Sequence, residues 1–201
     1  MSRGRGNTDV VSDRVLGVAE RLFAARGFDG VSIHDLTVAA GVSRPALYYH
    51  FGSKQAIYAA AVRWGAAEHR AVLETAAAAG ATIEERIRRT CLAHAVAAFE
   101  RRPLGPAVDA PQAAVSPSEF DVESDLTAAQ AVATVGRLVR EGVADGTFAA
   151  CEPEDAACAL VGAAEVCAGT MAMRPDPAGT SNRLERVVSL ILRGLSHRSV
   201  S

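Results

Sequence analysis

The chain is predicted to be all-α, with an N-terminal three-helix unit built on a helix-turn-helix and a larger helical body behind it. Three observations lead there. Apolar residues recur at helical spacing along most of the sequence, and no stretch alternates as a strand would. Ser, Thr, Gly and Pro stand where helices begin and end. Between Ser32 and Lys54, the run SIHDLTVAAGVSRPALYYHFGSK reads as two short helices about a glycine turn, followed at once by a third.

The first helix is expected from about Thr8 to Ala25, where Val11, Val15, Leu16, Val18, Leu22 and Phe23 make a broad apolar face and Gly27 closes it. Arg3 and Arg5 precede it in a glycine-rich tail expected to be a disordered start, with a basic arm for a minor groove as the alternative. Phe28 and Val31, around the Asp29-Gly30 turn, are expected to seal a small core. Ser32 is a good N-cap and Asp35 stands three places on, where a carboxylate can bond back and complement the positive helix end. A helix therefore starts at Ile33, turns Ile33, Leu36 and Ala40 inward, and ends at Gly41, a residue suited to the left-handed conformation.

Val42 plugs the turn, Ser43 caps the next helix, and Pro45 is harmless in its first turn because those N–H groups have no helical partner. This second helix spans about Arg44 to Phe51. Leu47 and Phe51 share its inner side; Pro45, Ala46, Tyr48 and Tyr49 spread over the opposite one, with Arg44 and His50 at the flanks. Two adjacent tyrosines cannot both face one core on a helix, so YYHF is not simply a core stripe. Hydroxyl donors, a cation and small apolar groups on one short helix suit a DNA groove. Gly52 stops the helix, Ser53 caps the following one, and Lys54, the only lysine in the chain, begins it where an ammonium and a helix N-terminus can share a phosphate.

AAGVSRPALYYHFGSK resembles the DNA-binding signature of TetR-type transcriptional regulators, a likeness that covers about Val11 to Val62. The resemblance implies phosphate or base contacts at Ser43, Arg44, Pro45, Ala46, Tyr48, Tyr49, His50 and Lys54, with Ser32 near a phosphate. Pro45 and Ala46 stand where glycine and threonine are often found, which removes a hydroxyl able to bond to DNA.

The body resembles that family only in length and helical character. From Ser53 to about Ala79 one long helix, or two with a break near Gly65, carries Ile57, Tyr58, Ala61, Val62, Trp64, Val72 and Leu73. Thr82-Ile83-Glu84-Glu85 is a capping box that opens a helix to Arg102, with Ile87, Cys91, His94, Ala95, Ala98 and Phe99 inward. Residues 103–118 are proline-rich and read as a loop with one short helix. An amphipathic helix from about Val122 to Val143 ends at the Asp145-Gly146 turn. Pro153 opens a helix of small residues to about Met173, and a last helix is expected from Asn182, with Glu185 as its capping partner.

The expected division is residues 8–62 for the DNA-binding domain and 63–201 for an effector-binding and dimerisation domain. Of the 201 residues, 49% are hydrophobic and 22% charged, which is a globular composition. Alanine-rich stretches are broken by Glu, Arg and His before the ~20 apolar residues a membrane span needs. MSRGRGNTD has no apolar run after it, so no signal peptide is expected and the protein is placed in the cytoplasm. The net charge of −2 conceals an asymmetry: eight basic and five acidic residues through Trp64, thirteen and eighteen after it. The basic end is the one expected at DNA, and the acidic body favours a single docking orientation. Cys91, Cys151, Cys158 and Cys167 form no C-x-x-C pair or zinc-finger spacing; Cys91, Cys158 and Cys167 are expected in the core, and no metal and no cofactor are expected.

These readings converge on a DNA-binding transcriptional regulator, a repressor by preference, that binds a palindromic operator as a homodimer through its last two helices and is released by a small-molecule effector. The alternative is a helical enzyme or carrier without a DNA role. Against catalysis, the sequence has no glycine-rich phosphate loop, no Ser-His-Asp or Cys-His spacing and no carboxylate-histidine metal motif. A medium-sized, mainly apolar effector is expected between about Trp64 and Met173, with Trp64, His94, Phe99, Phe120, Glu165, Met171 and Met173 as candidate lining.

Overall fold

A computed structural model describes the backbone of residues 5–101, 119–173 and 177–196, and the side chains of 11–100, 126–170 and 182–196. Among these residues the elements are eight helices: α1 (Arg5–Arg26), α2 (Ile33–Ala40), α3 (Arg44–Phe51), α4 (Lys54–Ala78), α5 (Ile83–Arg101), α6 (Glu119–Ala144), α7 (Pro153–Met173) and α8 (Pro177–Leu195). By its contacts the chain divides into an N-terminal unit that extends to Glu68 and a C-terminal unit of His69–Glu100 with Asp125–Ser201. The proline-rich segment expected to be a loop lies outside the described residues.

The N-terminal unit closes around Val15, Ala19, Phe23, Val31, Leu36, Ala40, Leu47, Ile57, Tyr58 and Ala61, each drawn from the apolar face of its helix or from the turn before α2. An aromatic cluster locks α1 to α4: the Tyr58 ring meets Phe23 edge-on at 5.0 Å and Phe28 at 5.4 Å. Gly17 lets the indole of Trp64 lie against α1, since a Cβ there would stand 3.0 Å from the ring. Helix α4 runs without a break through Gly65, settling that alternative.

The caps act as the spacing predicts. Ser32 and Asp35 form a reciprocal capping box on α2. Gly41 takes the left-handed conformation (φ 63°), and the N–H of Val42 reaches the Thr37 carbonyl at 3.1 Å, so carbonyls at the end of α2 are satisfied as the chain reverses. Ahead of α5, the Thr82 hydroxyl accepts from the Glu85 N–H at 3.2 Å, while the Glu85 carboxylate accepts from the N–H of Ala81, one residue before the cap.

In the C-terminal unit Leu73, Ile87, Cys91, Val135, Leu138, Phe148, Leu160, Ala164, Leu184, Val188 and Leu192 are among the residues of one core cluster. Phe148 sits against Gly142, where any Cβ would overlap its ring, and the Ala149 N–H donates to the Leu195 carbonyl at 2.7 Å, which ties the α6–α7 connection to the end of α8. Two expectations change. Helix α8 begins at Pro177, not Asn182, because proline is well suited to the first turn and its missing N–H costs nothing there. Cys158 is exposed, not buried: it falls on the outer side of α7, whereas Cys91 and Cys167 are in the core.

Candidate nucleic-acid interface

Helix α3 is fixed from below by Leu47, 1% exposed, and by Phe51 packed on the same cluster. Its register then decides what the outer side shows. Tyr49 is 87% exposed and Tyr48 is 37% exposed; Arg44, Pro45 and His50 are also exposed, and Ala46 is half-buried. The Arg44 guanidinium lies over the Tyr48 ring, 5.6 Å from its centroid, and the His50 ring meets Tyr49 at 5.4 Å. The outer side of α3 thus presents a cation, two phenols and an imidazole.

The hydroxyls at the helix starts divide into two kinds. Ser43 caps α3 by accepting from the Ala46 N–H at 3.3 Å, and Ser53 caps α4 by accepting from the Ala56 N–H at 3.1 Å, so each hydroxyl keeps its own hydrogen for another acceptor. Ser32 instead donates its hydrogen to Asp35 at 2.6 Å. That hydrogen bond is the chief cause holding the Asp35 carboxyl below the ordinary carboxylate value, helped by the Ser32 backbone N–H. A phosphate contact from the Ser32 hydroxyl requires that hydrogen to be redirected.

Lys54, half-buried at the start of α4, places its ammonium over the Phe28 ring, 4.2 Å from the centroid. The ring orients the side chain without neutralising it. All nine residues expected at DNA therefore belong to the N-terminal unit, and eight of them lie on α3, its cap or the start of α4.

The expected effector lining is dispersed. Trp64 belongs to the N-terminal unit and lies against Gly17. In the C-terminal unit Phe99 packs half-buried on the core, and His94 and Glu165 meet at 3.4 Å. His69, which sequence reasoning passed over, completes that group at 3.2 Å from His94. Ala66, His69, Leu73 and Ala77 share the inward face of α4, and this spacing was the available signal. The side chains of Phe120, Met171 and Met173 lie outside the described residues. Among the described residues, no three of His, Cys, Asp and Glu gather as a metal site.

Residues 15–61 match the family model for bacterial regulatory proteins of the tetR family. Over 53 residues the chain is 34% identical to the biofilm operon icaADBC HTH-type negative transcriptional regulator IcaR of Staphylococcus aureus, a match covering 26% of this chain and 28% of that protein. Over 55 residues it is 40% identical to an HTH-type transcriptional regulator of Mycobacterium tuberculosis, covering 27% of each. The chain thus spans under a third of the curated relatives it matches. Solved structures extend the likeness to nearly the full length. A TetR-family transcriptional regulator from Pectobacterium atrosepticum is 27% identical with a TM-score of 0.60, covering 98% of this chain and 99% of that one. One from Cytophaga hutchinsonii is 15% identical with a TM-score of 0.71, covering 98% and 100%, a likeness of fold.

Proposed function

We propose that this chain, whose residues 15–61 are a tetR-family DNA-binding domain within the fold of TetR-family transcriptional regulators, represses transcription by binding a palindromic operator as a homodimer and is released by a small-molecule effector. Its relatives are regulators, and it is read as one and not as an enzyme. No described helix is long and apolar enough to cross a membrane. The single observation that carries the proposal is the outer side of α3, where Arg44, Tyr48, Tyr49 and His50 stand exposed, with Lys54 opening the next helix. Exposed as they are, these four side chains close no core, and their chemistry suits phosphates and base edges.

Support for a dimer comes from α7 and α8. Val166 is 69% exposed and Leu190 64% exposed. Gly162 and Gly194 each open onto empty space, and a groove of about 360 Å³ between the two helices is lined by Gly162, Ala163, Val166, Cys167, Thr170, Arg183 and Val187. Bare glycines beside exposed apolar side chains allow a second copy to approach closely. A second copy would supply the second recognition helix that a palindrome's half-sites, about 34 Å apart, require. The proposed domain division is residues 8–62 for DNA and 63–201 for the effector and the partner copy. Within the C-terminal unit, His94, Phe99 and Glu165 are the described residues proposed to face the effector.

The test is a footprint on DNA upstream of the chain's own gene, repeated with a metabolite panel, alongside sedimentation of Val166→Glu. Protection of one palindrome, lost with one metabolite, together with a monomeric and weakly binding variant, is the expected result. Sequence-independent coating of DNA overturns the proposal.

A further inference from the structure

Phe28 is expected from the sequence to seal the small core, yet its ring also lies under a cation. The Lys54 ammonium stands 4.2 Å from the ring centroid, while Phe23 stacks on Phe28 at 6.0 Å and Tyr58 meets it edge-on at 5.4 Å. Lys54 and Tyr58 are four residues apart on α4, so both reach one ring from one side of the helix. The turn that carries Phe28 has little freedom. Gly27 ends α1 in the left-handed conformation (φ 69°), and a Cβ at Gly30 would overlap the Arg26 carbonyl. The Val31 N–H then returns to the Phe28 carbonyl at 3.5 Å. Backbone and neighbouring rings together hold Phe28 in place.

The negative face of an aromatic ring attracts an ammonium without cancelling its charge, whereas a carboxylate in the same place would neutralise it and compete with phosphate. No ion pair among the described residues includes Lys54. Its three N–H donors cannot all point at one ring, so donors remain for phosphate oxygens. A lysine free in water loses the rotamer freedom of a four-carbon stem when it reaches a phosphate; one already held over a ring has lost part of that freedom beforehand.

We propose that Phe28 is a positioning residue for DNA binding, whose ring holds the Lys54 ammonium ready for a phosphate and keeps hold of it in the complex. The ring contact stands on geometry alone; its effect at DNA rests on the reading of the chain as a DNA-binding regulator. The sign of that effect is diagnostic. An ammonium that stays over the ring while it meets phosphate makes the ring favour binding; one that had to leave would make the ring oppose binding, and removing the ring would then raise affinity.

Lys54 is the only lysine, so the full chain labelled with carbon-13 at the lysine ε-carbon gives one side-chain NMR signal. Its ε-protons should lie upfield of those of free lysine, shielded by the ring, in wild type and in Phe28→Tyr, and should return to the ordinary position in Phe28→Leu. The upfield shift should persist when a duplex carrying the palindrome footprinted upstream of the chain's own gene is added. Affinity for that duplex should fall about two- to fivefold per half-site in Phe28→Leu, the range of an exposed cation–π contact, and stay near wild type in Phe28→Tyr. In a Lys54→Ala background, Phe28→Leu should cost nothing further, a result that a purely structural role for the ring does not produce. Where Phe28→Leu does not fold, trifluorophenylalanine at position 28 keeps the ring's shape, weakens its negative face and should lower affinity in the same direction. A wild-type signal at the ordinary lysine position removes the contact. A shift lost on adding DNA, affinity unchanged or tighter without the ring, or an equal loss in the Lys54→Ala background each overturns the positioning role. If wild type binds no palindrome, the regulator reading and the role at DNA fall together, and the lysine signal still decides the ring contact.

Discussion

The guanidinium of Arg44 rests 5.6 Å above the ring of Tyr48, one helical turn along α3. The phenol therefore has two separable roles, holding a cation and offering a hydroxyl. Tyr48→Phe keeps the first and removes the second. Tyr48→Ala removes both and should weaken operator binding further, by about the 0.5–1 kcal/mol of an exposed cation–π contact. Fluorescence anisotropy on both variants checks this, and equal losses would show that the ring does not position Arg44.

Leu47 and Tyr49 are two residues apart and face opposite ways, so their substitutions should have opposite signatures. Leu47→Ala empties a fully buried site and should cost roughly 2–5 kcal/mol of stability in chemical denaturation. Tyr49→Ala should leave stability nearly unchanged and lower DNA affinity. A large stability loss in the second variant would mean that the exposed face of α3 is not a free surface.

Lys54→Ala should lower operator affinity and reduce the slope of log affinity against log salt by about one, the signature of a single lost phosphate contact. The Phe28 ring holds the ammonium without neutralising it, so the charge remains available to the DNA. An unchanged slope would place Lys54 off the phosphate backbone.

The capping box of α2 should loosen in acid. Hydrogen bonds from Ser32 lower the folded-state value of Asp35 below the ordinary 3.8. The sign follows: the contribution is present above 3.8 and is lost as pH falls through the lower folded value. Thermal melting of Asp35→Asn against wild type should show a gap at neutral pH that closes below that value. A gap that persists at full strength in strong acid would assign the effect to shape and not to charge.

The four thiols should separate in a labelling experiment. Cys91 and Cys167 should resist a maleimide in the folded state because both are buried, and Cys91 is additionally held as the thiol. Cys158 lies one turn before Gly162 and two before Val166 on α7, so its labelling should slow as protein concentration rises and the proposed dimer forms. A rate independent of concentration would move the dimer surface elsewhere.

The parts legible in the sequence are those that local chemistry decides. Ser32, Asp35, Gly41, Ser43, Gly52 and Ser53 set the bounds of α2, α3 and the start of α4, because each acts on atoms within four residues of itself. Where two local signals compete, the reading slips: Asn182 looks like a cap, but Pro177 starts the same helix earlier. Burial within alanine-rich α7 was harder still. Small residues on every side leave no clear apolar stripe, so nothing in the spacing distinguished exposed Cys158 from buried Cys167. The contact of His69 with His94 joins positions 25 residues apart, and helical periodicity can place each on an inward face without saying that the two faces meet.

Lys54 carries the one ε-amino group in the chain, all other basic side chains apart from histidine being guanidinium groups. Amine-directed chemistry therefore has a single side-chain target, and it stands at the proposed DNA surface with its ammonium over the Phe28 ring. Acylation at that nitrogen would cancel the charge and add bulk at the first turn of α4, while a reagent specific for arginine would leave it untouched. Acylation located at that nitrogen by peptide mass spectrometry, apart from any at the α-amino group, should weaken DNA binding in step with its extent.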